Sequence, residues 1–160
     1  MEIVIPIGIP GSGKTRLYKM RYSHLALVSK DLINKEITGD INDYSKPKEL
    51  TNEINKRIDE LVERGESFYL DDTNLDKNVR STFVNRFKGT DVKITYVVFP
   101  VDFELSKRRI EEDIKNNVER SSTPHSWLVL QLGLYNFTIG DKFKDENVQE
   151  IIYLKPGELD

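Results

Sequence analysis

The first stretch of the chain that could do chemistry is the octapeptide GIPGSGKT at positions 8–15. Its pattern, G-x-x-x-x-G-K-T, is that of a phosphate-binding P-loop. Glycines let the backbone curl so that its N–H groups point inward, where a side chain would block a phosphate. The predicted nucleotide-binding residues of this loop are Gly8, Pro10, Gly11, Ser12, Gly13, Lys14 and Thr15.

Lys14 and Thr15 have different predicted roles within this loop. The Lys14 ammonium can reach the β- and γ-phosphates of ATP as a mobile point charge, and the Thr15 hydroxyl can ligand Mg²⁺. A glycine-rich turn that binds nothing is the alternative interpretation. The context favours the P-loop, because the apolar segment 2–8 predicts a strand and a helix is predicted from about Lys14, with its positive end toward the phosphates.

A carboxylate follows the second predicted strand, which spans residues 25–28. Asp31 could act as the general base that accepts the proton of an attacking hydroxyl while the γ-phosphoryl group moves in line. It could instead be the N-cap of the helix predicted over 32–37. The sequence leaves both roles open, and one residue could fill both.

Acidic and amide residues also follow the third predicted strand, at 67–70. In a P-loop protein one carboxylate here is placed to hold Mg²⁺ with Thr15. Adjacent strand residues point to opposite faces, so only one of Asp71 and Asp72 is expected to face the phosphates. The residues alone leave open which of the two holds the metal with Thr15, and Asn74 could orient substrate. An Asx turn is the alternative role for Asn74.

Five basic residues lie between positions 107 and 120. An arginine from a cationic lid can neutralise charge on the transferring phosphate. For most of this run a solvated helix with ion pairs to nearby acids is the simpler interpretation. Arg120 is the exception, because it lies outside the densest charge run, and we assign it to ATP binding and catalysis.

Strands and helices alternate along the chain and must bring these residues together. Further strands are predicted at 92–99 and 150–154, and helices at about 47–64, 76–88, 102–117 and 124–135. This order predicts an α/β fold: a parallel sheet of about five strands, helices on both faces and a helical lid. We expect one P-loop kinase domain over residues 1–160. The crevice at the carboxyl ends of the strands would hold the ligands.

Composition limits the function further. The 160 residues include no cysteine, which excludes disulfides and zinc–thiolate sites, and the formal net charge is −3. This charge argues against coating a nucleic-acid duplex but permits a local basic groove for one strand end. No apolar run reaches a membrane-span length and no signal peptide is evident, so we expect a cytoplasmic protein without membrane contact. We interpret Trp127 and the leucines around it as core residues.

Several motifs occur in one order along nearly the whole chain. They are IPGSGKT at 9–15, SKD at 29–31, DTNLD at 72–76, VF at 98–99 followed by ELSKR at 104–108, and Arg120 ahead of Pro124. In these motifs the chain resembles the kinase domain of phage-type 5′-hydroxyl polynucleotide kinases. The P-loop alone identifies only a superfamily, whereas the DTNL and SKD elements together are more specific.

The resemblance implies ATP and Mg²⁺ as cofactors and a 5′-hydroxyl nucleic-acid end as partner, as in nucleic-acid repair. It implies that Asp31, Lys14 and Arg120 are catalytic, with Asp31 as the base. It also places Asp72 at the nucleotide site and, with Thr15, at the metal, and it makes Asp72, Thr73 and Asn74 candidates for substrate binding. One departure concerns the position three residues after the base, where the family pattern has an arginine that holds an acceptor phosphate. Asn34 occupies that position and is our candidate there for substrate binding.

Two other functions stay open at this point. The same scaffold suits a small-molecule or nucleotide kinase, and the Asn34 departure bears on the acceptor more than on phosphoryl transfer. A nucleotide-binding switch without an acceptor is the other alternative, and the carboxylate of Asp31 argues against it. The sequence leaves the oligomeric state undetermined.

Overall fold

The computed structural model describes all 160 residues and contains one parallel sheet of five strands. The strands are β1 (Glu2–Ile7), β2 (Ala26–Ser29), β3 (Phe68–Asp71), β4 (Lys93–Val98) and β5 (Glu150–Tyr153). Their order across the sheet is β2-β3-β1-β4-β5, and every neighbouring pair is parallel. The predicted α/β fold class is confirmed.

Six α-helices connect and follow the strands. They are α1 (Lys14–Leu17, continued by a π-helical turn over Tyr18–Tyr22), α2 (Lys30–Thr38), α3 (Pro47–Glu63), α4 (Lys77–Asn85), α5 (Phe103–Lys115) and α6 (His125–Asp141). Asp76 caps α4 and Asp102 caps α5, as predicted. Helix α6 runs to Asp141, six residues past its predicted end at Tyr135. No helix combines the length and the apolar character that crossing a membrane requires.

Strand β1 lies in the middle of the sheet, between β3 and β4. Its side chains alternate between two cores, because successive residues of a strand point to opposite faces. Ile3, Ile5 and Ile7 belong to one apolar cluster, and Val4 belongs to the cluster on the other face. Burial on both faces explains the nearly continuous apolar run. The loop that follows β1 therefore starts from the central strand of the sheet, which is buried on both faces.

A buried ion pair supports the loop that follows β3. Arg80 of α4 donates two hydrogen bonds to Glu146, Nε to Oε1 at 2.9 Å and Nη2 to Oε2 at 3.0 Å. The Tyr96 hydroxyl donates to the same carboxylate at 2.8 Å, and Arg80 Nη1 donates to the Asn74 carbonyl at 2.8 Å. Both charged side chains are almost fully buried. The pair thus links α4, β4 and the loop around Asn74.

Replacing Glu146 with alanine is expected to destabilise the fold by about 3–5 kcal/mol, because it leaves the Arg80 charge buried and uncompensated. Urea unfolding checks this prediction. A matched control is Asp59→Asn, which breaks the exposed pair between Asp59 and Arg86 and should cost under about 1 kcal/mol. Equal losses in the two variants would contradict a supporting role for the buried pair.

Candidate active site

The loop 8–15 joins β1 to α1, and two of its glycines, Gly8 and Gly11, leave no room for a side chain. A Cβ on Gly8 would lie 2.5 Å from Ser12 Oγ. Gly11 has a φ of +78°, and a Cβ there would lie 2.8 Å from the Ser106 carbonyl oxygen of α5. Any larger residue would have to push the loop away from its neighbours. The loop is therefore closely packed against α5.

Lys14 is folded back over this loop. Its ammonium donates hydrogen bonds to the carbonyls of Gly8 at 3.1 Å and Ile9 at 2.8 Å. The Tyr69 hydroxyl on β3 donates to the Lys14 carbonyl at 2.7 Å and anchors the start of α1. The backbone of the loop and the charge of Lys14 are thus held at the carboxyl end of β1, as a P-loop requires.

The charged residues predicted from the sequence meet around Lys14. Burial lowers the pKa of Lys14 to about 8, the negative charges of Asp71, Asp72 and Asp31 oppose that change, and the positive charge of Arg120 adds to it. Four side chains from β3, the loop after it, α2 and the segment after α5 therefore act on one ammonium group. The structure thus brings four of the charged residues that the sequence assigned to one crevice near Lys14.

Thr15 identifies which of the two adjacent aspartates faces the loop. Its hydroxyl donates to Asp71 Oδ2 at 3.0 Å. Asp72 points elsewhere: its Oδ1 accepts from the Thr73 amide at 2.7 Å, and its Oδ2 lies 3.9 Å from Lys30 Nζ. The contact favours Asp71 over Asp72 as the partner of Thr15. The assignment of Asp72 to a metal stays a prediction without support from this geometry.

Asp31 lies in the first turn of α2 but does not cap it. The N-cap is Ser29, whose Oγ accepts from the Leu32 amide at 3.3 Å. The alternative that made Asp31 the N-cap is therefore wrong. Burial and then the charge of Asp72 raise the pKa of Asp31, while Lys30 and a hydrogen bond from Ser121 lower it. A partly buried carboxylate without a capping role remains available to accept a proton.

Arg120 is held in place from two sides. Its guanidinium forms an ion pair with Asp113 of α5 at 2.9 Å, and its side chain is only 18% exposed. Its backbone is fixed by Asn42, whose amide nitrogen donates to the Arg120 carbonyl at 3.3 Å and whose Oδ1 accepts from the Ser122 amide at 2.5 Å. The segment after α5 is thereby joined to the loop between α2 and α3.

Asn34 does not face the crevice, which corrects its predicted role in substrate binding. It is buried, and its Nδ2 donates to the carbonyls of Ile41 at 3.3 Å and Asp43 at 3.0 Å. An amide can hold these carbonyls where the arginine of the related pattern would bring a charge into the interior. Asn34 therefore shapes the loop that carries Asn42.

Asn74 has a role in the backbone framework. Its Nδ2 lies within hydrogen-bond distance of three carbonyls, those of Pro6 at 2.8 Å, Leu70 at 3.1 Å and Asp72 at 2.9 Å. The Thr73 carbonyl accepts from the Gly8 amide at 3.2 Å. These contacts join the ends of β1 and β3, which agrees with the turn-forming alternative for Asn74. The substrate-binding roles of Thr73 and Asn74 stay predictions.

Arg109 contacts the P-loop and was not singled out by the sequence. Its Nη1 donates to the Gly11 carbonyl at 3.3 Å and lies 3.5 Å from the Ser12 carbonyl. Its neighbour Arg108 is exposed. Helical periodicity could have distinguished Arg109 from Arg108. The side of α5 that carries Ser106 and Ile110 faces the loop, and Arg109 lies nearer to that side.

Two cavities flank this cluster. One, of about 160 Å³, lies between the sheet, α3 and α4, has mostly apolar walls, and has Lys30, Asp71 and Asp72 among its lining residues. The other, of about 170 Å³, lies between α5 and the C-terminal segment and is lined in part by Ser12 and Arg109. Each has the size of a single aromatic ring. The second one adjoins the P-loop.

Comparisons with known proteins bear on the fold. A family model described as an AAA domain, AAA_33, matches residues 3–132 of the chain. Among curated protein sequences, none matches it. The chain is also similar to one chain in the structure of the Pnkp1/Rnl/Hen1 RNA repair complex, with a TM-score of 0.74 and 18% identity, over 91% of this chain and 47% of that one. It thus spans about half the length of that protein.

Two further solved structures share the fold. One is a protein from Chloroflexus aurantiacus j-10-fl provisionally named a kinase, with a TM-score of 0.69, 12% identity, and coverage of 96% of this chain and 86% of that one. The other is a gluconokinase from Sinorhizobium meliloti 1021, with a TM-score of 0.56, 15% identity, and coverage of 96% and 81%. At these identities the likeness shows the fold alone. The predicted resemblance is confirmed as a P-loop domain with a kinase-like fold.

Proposed function

Because the chain belongs to the AAA_33 family of P-loop domains, we propose that it is a kinase that transfers the γ-phosphoryl group of ATP to the 5′-hydroxyl of a nucleic-acid strand. One observation carries the proposal most directly: the partly buried Asp31 carboxylate lies in the same electrostatic cluster as Lys14 and is released from helix capping by Ser29. A nucleotide-binding switch has no need for such a carboxylate.

The proposed reaction uses these residues in sequence. Asp31 accepts the proton of the acceptor hydroxyl as its oxygen attacks the γ-phosphorus of ATP. The bond from that phosphorus to the bridging oxygen breaks, and ADP leaves with the electron pair. Lys14 and Arg120 stabilise negative charge on the phosphoryl oxygens. Asp31 then releases its proton to water, which restores the base.

The oxygen atoms next to the P-loop fit Mg²⁺. This ion prefers hard oxygen ligands and is usually held by one or two protein groups together with substrate phosphates. The Thr15 hydroxyl and the Asp71 carboxylate, 3.0 Å apart, are such a pair, so we assign the ion to them rather than to Asp72. When bound, the ion would neutralise phosphate charge in the transition state.

If Asp31 is the base, kcat/KM should depend on pH, and replacing the charged neighbours of Asp31 should shift that dependence. A protonated carboxyl cannot accept a proton, so kcat/KM should fall as the pH falls through the raised pKa of Asp31. Asp72→Asn removes a charge that raises this pKa, so the acid limb of the pH–rate profile should shift to lower pH. Lys30→Gln removes a charge that lowers it, so that limb should shift to higher pH. Unmoved limbs in both variants would exclude Asp31 as the titrating group.

The cleft beside Ser12 is the proposed site for the base of ATP. It adjoins the P-loop, and the Arg109 guanidinium at its wall can stack on an aromatic face. Arg109→Ala should therefore raise the KM for ATP by about tenfold, roughly the loss of one good contact, with a smaller change in kcat. The exposed Arg108→Ala is the matched control. Equal ATP KM values in the two variants would exclude Arg109 from the donor site.

The acceptor needs a cation for the phosphate next to its 5′-hydroxyl. Lys30 and Lys35 lie on α2 on either side of Asp31, with side chains about half exposed, and Lys35 would have to exchange its pair with Glu119 at 2.8 Å for a phosphate. Arg16 and Arg21 are turned toward the C-terminal segment, where Arg21 pairs with Glu158 at 2.9 Å. The two lysines are thus our candidates for the contact that Asn34 does not provide.

Paired acceptor titrations test the proposal. A short 5′-hydroxyl oligonucleotide should be phosphorylated far better than a free nucleoside, and its KM should rise with salt with a slope of about 0.7 per phosphate contacted. Lys30→Gln or Lys35→Gln should reduce that slope. Equal use of nucleoside and oligonucleotide, with KM values independent of salt, would instead support the small-molecule kinase that the Asn34 departure leaves open.

A further inference from the structure

Helix α6 is unusual because its solvent-facing side carries no charge. From His125 to Gly140 the helix contains no Asp, Glu, Lys or Arg. Its inward side buries Leu128, Gln131, Tyr135 and Thr138 against the sheet. Trp127 and Leu130, interpreted from the sequence as core residues, are instead 49% and 52% exposed, and that interpretation is wrong for both. A surface helix normally has charged or polar residues on its outer side.

The outward residues form one continuous stripe, which we call the α6 stripe. Its members follow one another at intervals of four, three, four and three residues, and they are Ser126, Leu130, Gly133, Phe137 and Gly140. This interval pattern is the heptad seam by which helices pack against helices. Phe137 is 65% exposed, so the stripe has large apolar side chains without a partner in the monomer.

The two glycines of the α6 stripe have no packing reason within one chain. A Cβ added to Gly133 or to Gly140 would meet no atom within 4 Å. Glycine inside a helix is destabilising relative to alanine, because it loses more conformational freedom on folding. Missing side chains on an outward seam allow another backbone to approach closely. The glycines and the exposed apolar residues thus point independently to a contact outside the monomer.

The spacing is complementary to itself. In an antiparallel pair of α6 helices related by a two-fold axis beside Tyr135, Phe137 of one copy falls opposite Gly133 of the other. The same axis places Leu130 opposite Gly140. Each large side chain therefore meets a glycine in both directions, as an isologous contact requires. The absence of charge fits a partner surface that is equally uncharged.

We propose that the α6 stripe is the contact surface of a homodimer of this chain. Full burial of its exposed apolar side chains and the flanking Trp127 and Val129 would remove on the order of 400 Å² from each copy. Both copies together then bury about 800 Å², below the range of standard stable interfaces. The dimer is accordingly weak and depends on concentration.

Sedimentation equilibrium of the full chain, from about 1 μM to about 500 μM, tests the proposal. Wild type should pass from monomer to dimer in this range. Phe137→Glu places a charge in the seam, and Gly133→Leu blocks the close approach. Each should weaken association by at least about tenfold. Met20→Glu is the control, because Met20 is a similarly exposed apolar residue away from α6. It lies on the turn after α1, and that turn packs against the apolar cluster on the opposite face of the sheet from α6.

Gly133→Leu also separates loss of the dimer from loss of the fold. The replacement has open space and better helix propensity, so its melting temperature at low concentration should equal or exceed that of wild type. A monomeric variant with undiminished melting temperature supports the proposal. Wild type that is monomeric at every concentration overturns it, and so does a dimer that both stripe variants leave unchanged. Neither result depends on the proposed kinase activity.

Discussion

Lys14→Ala is expected to lower kcat by about 10²–10³-fold, the usual loss on removing one preorganised contact to developing charge. The ammonium already sits over the P-loop, bonded to the Gly8 and Ile9 carbonyls, so it needs little reorganisation to follow the γ-phosphate. Burial lowers its pKa to about 8, which shows that the charge is disfavoured in the folded chain. Removing it should therefore leave the fold intact. Formation of the 5′-phosphorylated strand, followed with saturating ATP and acceptor, measures the effect.

Lys48→Ala makes the same change of charge at an exposed position of α3 and is the matched control. It should leave kcat unchanged. A folded Lys14→Ala protein that turns over at the wild-type rate would contradict the P-loop assignment. A large fall in its melting temperature would contradict the inference that burying this ammonium is unfavourable.

Asp31→Asn is expected to lower turnover by about 10²–10⁴-fold, the range typical for loss of a general base. Because Ser29 rather than Asp31 caps α2, the amide should not weaken the helix. Burial raises the pKa of Asp31, so its ionised form is disfavoured in the fold and a neutral replacement should not destabilise it. ATP affinity should be retained, because the base acts on the acceptor.

Ser29→Ala provides the complementary control. It removes the hydroxyl that accepts from the Leu32 amide, and loss of such a cap typically costs about 1 kcal/mol of stability. Turnover per folded molecule should not change. We thus expect Ser29→Ala to lower stability without changing turnover, and Asp31→Asn to lower turnover without changing stability. A stability loss in Asp31→Asn with normal turnover would reverse the two roles.

The sequence predicted the local parts of this site well. The P-loop is a contiguous motif, and Asp76 and Asp102 cap the helices that directly follow them. Parallel strands bring their carboxyl ends to one edge, so the convergence of Asp31 and Asp71 on Lys14 followed from the element order alone. These features depend on neighbours in sequence or on the sheet as a whole.

Other features depend on contacts between distant segments. The choice between Asp71 and Asp72 is decided by how the end of β3 meets Thr15, 56 residues away. Arg80 and Glu146 lie 66 residues apart in the chain, and the residues around neither of them predict that the two form a buried ion pair. Helix α6 continues through two glycines, which local propensity disfavours inside a helix. It does so because its inward side is packed against the core.

The most direct test of the central claim is mass spectrometry of an acceptor after incubation with the enzyme, ATP and Mg²⁺. An oligonucleotide with a 5′-hydroxyl should gain the mass of one phosphate, and fragmentation should place it on the 5′-terminal nucleotide. The same oligonucleotide carrying a 5′-phosphate should stay unchanged, and Asp31→Asn should modify the 5′-hydroxyl strand about 10²–10⁴-fold more slowly than wild type. An unmodified 5′-hydroxyl strand, with ADP formed at a rate that no acceptor alters, would contradict the account.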